Sequence, residues 1–351
     1  MAQASMLRLK LSTVARFSVI GLVVGTAIGY VNFLIIGAQP ETTIGWGVIS
    51  GSMIGFVVGS LEVFVFFGRM RRAPFLGLLV SRVLAYTATF VVGLTAANAA
   101  RLAEARAFSW GEAARFYLLE EGVFARDFFL VTIASVVFVW ILQASQLQRG
   151  RDVFNFILGR YHRPQEMERV FLFVGLTSST TIAEKLGHLT YSAFLQDFFF
   201  DINMAALPWS GEIYQYVGDE VIVSWPMKQG TDQARCIRCF FAMLDTVEAR
   251  RGEYMERYGL FPRFRGGMHG GVVVVTWVGE IKKEIVYHGD VLNTAARIQE
   301  EAKGGPFACL ASGELLDRLS LPDGVVATPV GEVPLRGKES ALPLFGLEYA
   351  G

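Results

Sequence analysis

Cysteine is scarce in this 351-residue chain: Cys236, Cys239 and Cys309 are the only three. That is too few for a complete disulfide framework, so reduced thiols are expected. Cys236 and Cys239 form a C-x-x-C with no second pair nearby, inside the helical-looking stretch Gln233 to Arg250, and a packing role is expected there instead of zinc or redox chemistry. Net charge is lacking as well, since Lys+Arg and Asp+Glu both number 32. The chain has no basic footprint, which excludes nucleic acid as an expected partner. No small-residue cleavage site follows the first apolar run ahead of a soluble domain, so that run does not read as a cleaved signal peptide.

What the chain has in excess is apolar sequence: 52% of its residues are hydrophobic, and its mean hydropathy is +0.40. Four long apolar runs fill the first half, about Phe17 to Ala38, Ile44 to Phe67, Phe75 to Ala97 and Phe128 to Gln143. Each reaches or approaches the roughly 20 residues that cross a bilayer as a helix. Arg8, Lys10 and Arg16 precede the first run, Arg69, Arg71 and Arg72 follow the second, and Gln39 to Thr43 holds no Lys or Arg. This asymmetry predicts that both termini are cytoplasmic. Arg101 to Asp127 becomes the one substantial outside loop, and its Phe108, Trp110, Phe116 and Tyr117 read as an amphipathic interfacial helix in preference to a folded sensor.

Two charges fall inside the spans, Glu62 and Arg82, each about 9–12 Å from the cytoplasmic turn at 1.5 Å per residue. An ion pair between adjacent helices and snorkelling of each side chain to the headgroups both account for them. Beyond Gln143 the composition turns polar. Arg149, Arg151, Arg160 and Arg163 alternate with apolar residues as far as Pro164, a pattern that predicts a helical coupling element ending at the proline. The expected organisation is a membrane domain over 1–145, a coupling element over 146–166 and a soluble domain over 167–351.

The soluble half alternates strands and helices. Val170 to Val174 reads as a strand, Thr177 to Gly187 opens a helix that its hydroxyl side chains can cap, and a second helix covers about Tyr191 to Ala206. Glu212 to Val217, a Gly218-Asp219 turn and Glu220 to Trp225 read as a β-hairpin. A helix over Thr231 to Tyr258, strands over Arg263 to Trp277 and Glu284 to Tyr287, and a helix over Val291 to Lys303 follow. This order is compatible with an α+β, ferredoxin-like sheet covered by helices on one side.

Five strings occur in one order: VFLFVGLTSST (Val170 to Thr180), IYQYVGDEVIVSW (Ile213 to Trp225), FRGGMHGGVV (Phe264 to Val273), YHGDVLNTAARIQ (Tyr287 to Gln299) and VPLRGKESALPLFGL (Val333 to Leu347). Together they resemble the class III adenylate and guanylate cyclase catalytic domain, over about Arg169 to Tyr349. The resemblance implies formation of a cyclic nucleotide and pyrophosphate from ATP or GTP. It also implies Mg²⁺ or Mn²⁺ held by two Asp residues, and a homodimer in which the metal residues of one copy meet an Asn/Arg pair of the other.

Carried onto this sequence, the resemblance assigns Asp219 to metal and Asn293 and Arg297 to the ribose and the charged transition state; a four-residue spacing puts these two on one helix face. Arg297 pairing with Glu300 or Glu301 is the bland alternative. Thr177, Ser178 and Gly218 would border the phosphates, with a helix N-terminus as a generic anion site. Either Arg336 or Lys338 takes the place of a triphosphate-binding lysine. Two departures stand out. Gly175 occupies the position of the other metal Asp, and Gln215 and Val286 occupy those that select the base. Glu220 is not expected to compensate for Gly175, because adjacent strand residues point to opposite faces. The leading expectation is a multi-pass adenylate cyclase of the cell's inner membrane with a cytoplasmic cyclase domain, its activity weakened by Gly175. The competing one is a degenerate signalling protein that binds nucleotide or partners without turnover. A transporter with an accessory domain is disfavoured by the short loops and the lack of broken or repeated segments.

Overall fold

The computed structural model describes residues 2–36, 40–66, 75–120, 122, 124–147, 164–279, 284–333 and 341–349. The chain divides into two compact units, a helical one and one built on a sheet.

In the helical unit, α1 (Ala2–Ile36) is followed by α2 (Pro40–Ser60), which passes into a π-helical stretch (Leu61–Phe66). Then come α3 (Phe75–Arg106), the short α4 (Trp110–Arg115) and α5 (Phe124–Leu147). Among the described residues, four segments are long and apolar enough to cross a bilayer: Met6–Val31, Ile44–Phe66, Leu76–Ala100 and Phe124–Leu142. The first begins well before Phe17, because nothing from Ala2 to Arg16 breaks a helix. Leu84, Val92, Phe129 and Trp140 face outward, as large apolar side chains do on a lipid-facing surface. These features mark a multi-pass membrane protein.

The interior of this unit rests on two devices. Glycines four apart on α1 and α2 bring the backbones together, so that a Cβ at Gly51 would fall on the Gly21 carbonyl oxygen and one at Gly25 on that of Gly47, the small-residue packing that membrane helices use. Tyr86 and Val139, both fully buried, pack with Val58 and Phe66 at the centre. Within this core Arg82 Nε lies 3.1 Å from Glu62 Oε1. The Tyr86 hydroxyl donates to the same carboxylate, and the Arg82 guanidinium lies 5.4 Å from the centre of the Phe66 ring.

Beyond Ala100, α3 runs on to Arg106 and is followed by α4 and a π-helical turn (Phe116–Glu120), with Trp110 and Leu119 exposed. Ser109 caps α4 through a reciprocal bond with Glu112, and Ala113 and Tyr117, four apart, bury against Ala99 and Leu102. Together α4 and this turn form a small helical cap packed onto the end of α3. The coupling element lies almost entirely outside the described residues, as do Arg69, Arg71 and Arg72.

The second unit begins with β1 (Gln165–Leu176) and α6 (Ser179–Ala206), then β2 (Glu212–Val217) and β3 (Glu220–Pro226). Next are α7 (Met227–Thr231), α8 (Arg235–Glu248), α9 (Arg251–Tyr258), β4 (Phe264–Val278) and β5 (Glu284–His288). The unit closes with α10 (Asp290–Gly304), β6 (Cys309–Ser312), α11 (Gly313–Leu316), β7 (Val325–Val333) and β8 (Leu342–Tyr349). The strands form one sheet in the order β2-β3-β1-β4-β6-β8-β7, with β5 also paired to β4; β4 and β6 are parallel and the other pairs antiparallel.

β1 is central and buried on both sides. Val170, Leu172, Val174 and Leu176 pack with Phe194, Phe198, Ile237 and Phe240 of α6 and α8, whereas Phe171 and Phe173 pack with Val291 and Ala295 of α10. The sheet is therefore covered on both faces and not on one, because β1 carries large apolar residues in both alternating sets. The two helices expected between Thr177 and Ala206 meet at Gly187, whose φ of +71° breaks the helical path. One further expectation changes. The stretch from Thr231 to Tyr258 is broken where Gln233 and Ala234 both take φ of +51°, and again at Ala249–Arg250. Cys236 and Cys239 are fully buried on α8 with free thiols, and burial pushes the Cys236 thiol up to about 12.

Candidate active site

The site is organised by the tip of the β2–β3 hairpin. Gly218 turns the chain with φ of +60°, a left-handed value that favours glycine, and sets Asp219 at the tip. β3 then runs antiparallel to β1 so that Glu220 pairs with Gly175, which in turn pairs with Arg265 of β4. Directly paired residues share a face. Glu220, Gly175 and Arg265 thus form a row on the side of the sheet that α10 covers.

Gly175 sits in a crowded place. A Cβ there would fall on Gln299 Nε2 and lie 2.9 Å from both Cγ and Oε1 of Glu220. The Glu220 carboxylate consequently reaches over the glycine into the space that a side chain at 175 would fill. The expectation that Glu220 points away is corrected: alternation relates residues within a strand, whereas Asp219 belongs to the turn. Glu220 Oε1 accepts a hydrogen bond from Lys303 Nζ at 2.9 Å. Burial pulls the Lys303 ammonium down, but its bond to Glu220 and the fields of Glu220, Glu300 and Asp219 outweigh this and leave it raised. Across the tip, burial first and then the charge of Asp219 raise the Tyr191 phenol. Gln299 is 1% exposed, and its Nε2 has no hydrogen-bond acceptor.

The base-selecting positions separate. A bulge in β2 between Ile213 and Gln215 inserts Tyr214, so Gln215 pairs with Ile222 while Tyr214 packs beside Phe171 and Tyr287. The bulge thereby puts Tyr214 and Gln215 on the same α10 face, the usual effect of an extra residue on side-chain direction. Val286 pairs with Thr276, whereas its neighbour Tyr287 packs into the α10-side cluster; by alternation Val286 faces the other way.

The phosphate-bordering residues differ from expectation in detail. The Thr177 amide and hydroxyl both donate to the Arg263 carbonyl, at 2.8 and 3.0 Å, so Thr177 has no amide to offer a phosphate. Ser178 takes a left-handed φ of +58° and makes no side-chain cap to α6; the amides of the first turn of α6 carry the helix's positive end. Asn293 is exposed on α10, and Arg297, one turn further on, is half-buried. Arg336 and Lys338 lie outside the described residues.

Among the described residues no group of three or more His, Cys, Asp or Glu converges as a metal set. The donors do fit one hydrated divalent ion. Asp219 and Glu220 are hard oxygen donors, and the unpaired Gln299 amide offers a hydrogen bond to a metal-bound water, of which Mg²⁺ keeps several. Sequence reasoning did not single out Gln299 or Lys303. Their spacing from Arg297 along α10 was readable, but their target, a gap on a strand more than a hundred residues earlier, was not.

Comparisons with known proteins identify the family. Residues 163–346 match the adenylate and guanylate cyclase catalytic domain family. Adenylate cyclase 2 of Rhizobium meliloti (strain 1021) is 37% identical over 219 residues, 62% of this chain and 60% of that protein. Adenylate cyclase 1 of the same organism is 28% identical over 180 residues, 50% of this chain and 26% of that protein. The chain thus spans about 60% or less of the length of these curated relatives. A bacterial light-regulated adenylyl cyclase shares the fold with a TM-score of 0.52 and 17% identity, over 63% of this chain and 66% of that one. The match extends over more than half of the sequence, and the chain belongs to the class III adenylate and guanylate cyclase family.

Proposed function

We propose that this protein is a membrane-bound cyclase that converts ATP to 3′,5′-cyclic AMP and pyrophosphate, with Mg²⁺ or Mn²⁺ as cofactor and a second copy of itself as obligatory partner. The adenylate cyclases among its relatives support ATP over GTP. In this reading residues 1–145 form the bilayer-spanning part, 146–166 couple it to 167–351, and the basic flanks put the cyclase unit on the cytoplasmic face of the inner membrane.

The observation that carries the dimer is the layout of α10. Its C-terminal end meets the hairpin through Lys303 and Glu220. Asn293 lies ten residues back, about 15 Å along a helix rising 1.5 Å per residue, and Arg297 about 9 Å back. One copy therefore holds its Asn/Arg pair away from its own Asp219, and a twofold partner supplies the pair that faces it. A bound divalent ion would neutralise triphosphate charge and activate the ribose 3′-hydroxyl. Asp219 would hold it, Asn293 would orient the ribose, and Arg297 would place its guanidinium at the oxygens where charge develops.

The test is to quantify cyclic AMP and cyclic GMP made by the purified full-length protein with Mg²⁺ and with Mn²⁺. Arg297→Ala should lower turnover on the order of 10²–10³-fold, the usual effect of losing one transition-state donor. Gly175, which brings no carboxylate of its own, favours the second reading, a nucleotide-binding protein without turnover. A parent protein that binds nucleotide and forms neither product with either metal would establish that reading and end the first.

A further inference from the structure

We propose that Glu220 supplies the second carboxylate of a divalent-cation site with Asp219, in the place of the side chain that Gly175 lacks, and that Lys303 holds this carboxylate while no cation is bound. The inference rests on the metal-dependent reading above and names the residues that complete it.

The register brings Glu220 to the site. It is the direct cross-strand partner of Gly175, so both face α10. The absence of a side chain at 175 then admits it, because a Cβ there would stand 2.9 Å from Glu220 Cγ and Oε1, closer than unbonded carbons pack. The reach of Glu220 thus depends on Gly175: the carboxylate missing from β1 is supplied across the ladder by β3. Asp219, adjacent in the chain, provides the other carboxylate, and two hard oxygen donors suit Mg²⁺ or Mn²⁺ over softer ions.

Lys303 has a defined part in this arrangement. Its ammonium lies 2.9 Å from Glu220 Oε1 and is only partly buried, with its side chain 29% exposed, so it can swing to solvent when a cation arrives. Gln299 cannot leave so readily. Its amide is buried against Gly175 with no acceptor, and an unmet buried donor is costly. Water carried in by a hydrated cation gives it one. Arg265 sits on the far side of Gly175 from Glu220, and Arg169, further along the same face of β1, is taken up by Glu212 and Ser224.

The test titrates Mn²⁺ into the purified full-length protein and follows the free-ion electron paramagnetic resonance signal, with thermal unfolding of each variant as a check on folding. Glu220→Gln, which keeps shape and removes charge, should weaken Mn²⁺ binding by about tenfold or more, on the scale seen when groups around a metal are altered. Lys303→Met should tighten binding by removing the competing cation. Parent-like affinity in a folded Glu220→Gln protein overturns the proposal, as does a parent with no saturable Mn²⁺ site. The cyclase reading is judged separately. Cyclic AMP formation with Mn²⁺ affinity indifferent to Glu220 refutes only this proposal, whereas Glu220-dependent binding without product refutes only that reading.

Discussion

Glu62 in the helical unit and Glu220 in the cyclase unit are both held by a cation at close range, 3.1 Å to Arg82 and 2.9 Å to Lys303. Their surroundings differ. The side chains of Glu62 and Arg82 are 13% and 6% exposed, whereas those of Glu220 and Lys303 are 23% and 29% exposed. Tyr86 donates to Glu62, and Phe66 covers Arg82, so the first pair is closed off by its neighbours. Contact distance alone says little about what such a pair is worth. A sealed charge that loses its partner has no water to turn to, while a charge at an open site exchanges one partner for another at small cost.

The comparison breaks if the sealed pair proves dispensable. Arg82→Met should destabilise the helical unit by about 3–5 kcal/mol, the usual cost of stranding a buried charge, measured as thermal unfolding in detergent. Adding Glu62→Gln should recover most of that loss, whereas independent additive effects would show that the two side chains act separately. Next in size, Gly51→Val forces a side chain onto the Gly21 carbonyl and should cost about 1–3 kcal/mol by overpacking, read in the same unfolding assay. Smallest of all, Lys303→Met should change the stability of the cyclase unit by less than about 1 kcal/mol, as for exposed ion pairs. A larger loss would mean that the Glu220 pair is structural and not exchangeable.

Much of this architecture was legible in the sequence where signals are local. The four apolar runs, the hairpin around Gly218 and Asp219, and the helix bearing Asn293 and Arg297 depend on periodicity, turn chemistry and neighbouring residues. What escaped depends on partners far along the chain. Nothing near Cys309 announces that it starts a short strand parallel to β4, and nothing near Glu220 announces that its cross-strand partner is a glycine. The double left-handed turn at Gln233 and Ala234 lies within a good helical pattern, so tertiary packing decided it. The α1–α2 glycines were a missed opportunity, because their four-residue spacing is written plainly in the chain.

Gly267 of β4 lies where α10 crosses the sheet, and a Cβ there would stand 2.5 Å from the Gln299 Cα and 2.7 Å from the Ala295 carbonyl oxygen. Helix and strand meet main chain to main chain, with no pliable layer between them. Such a joint has no play: α10 can neither roll nor slide unless β4 moves with it. The ends of that helix, one turned toward the hairpin and the other toward solvent, therefore keep a constant spacing, like marks on a ruler laid across the domain.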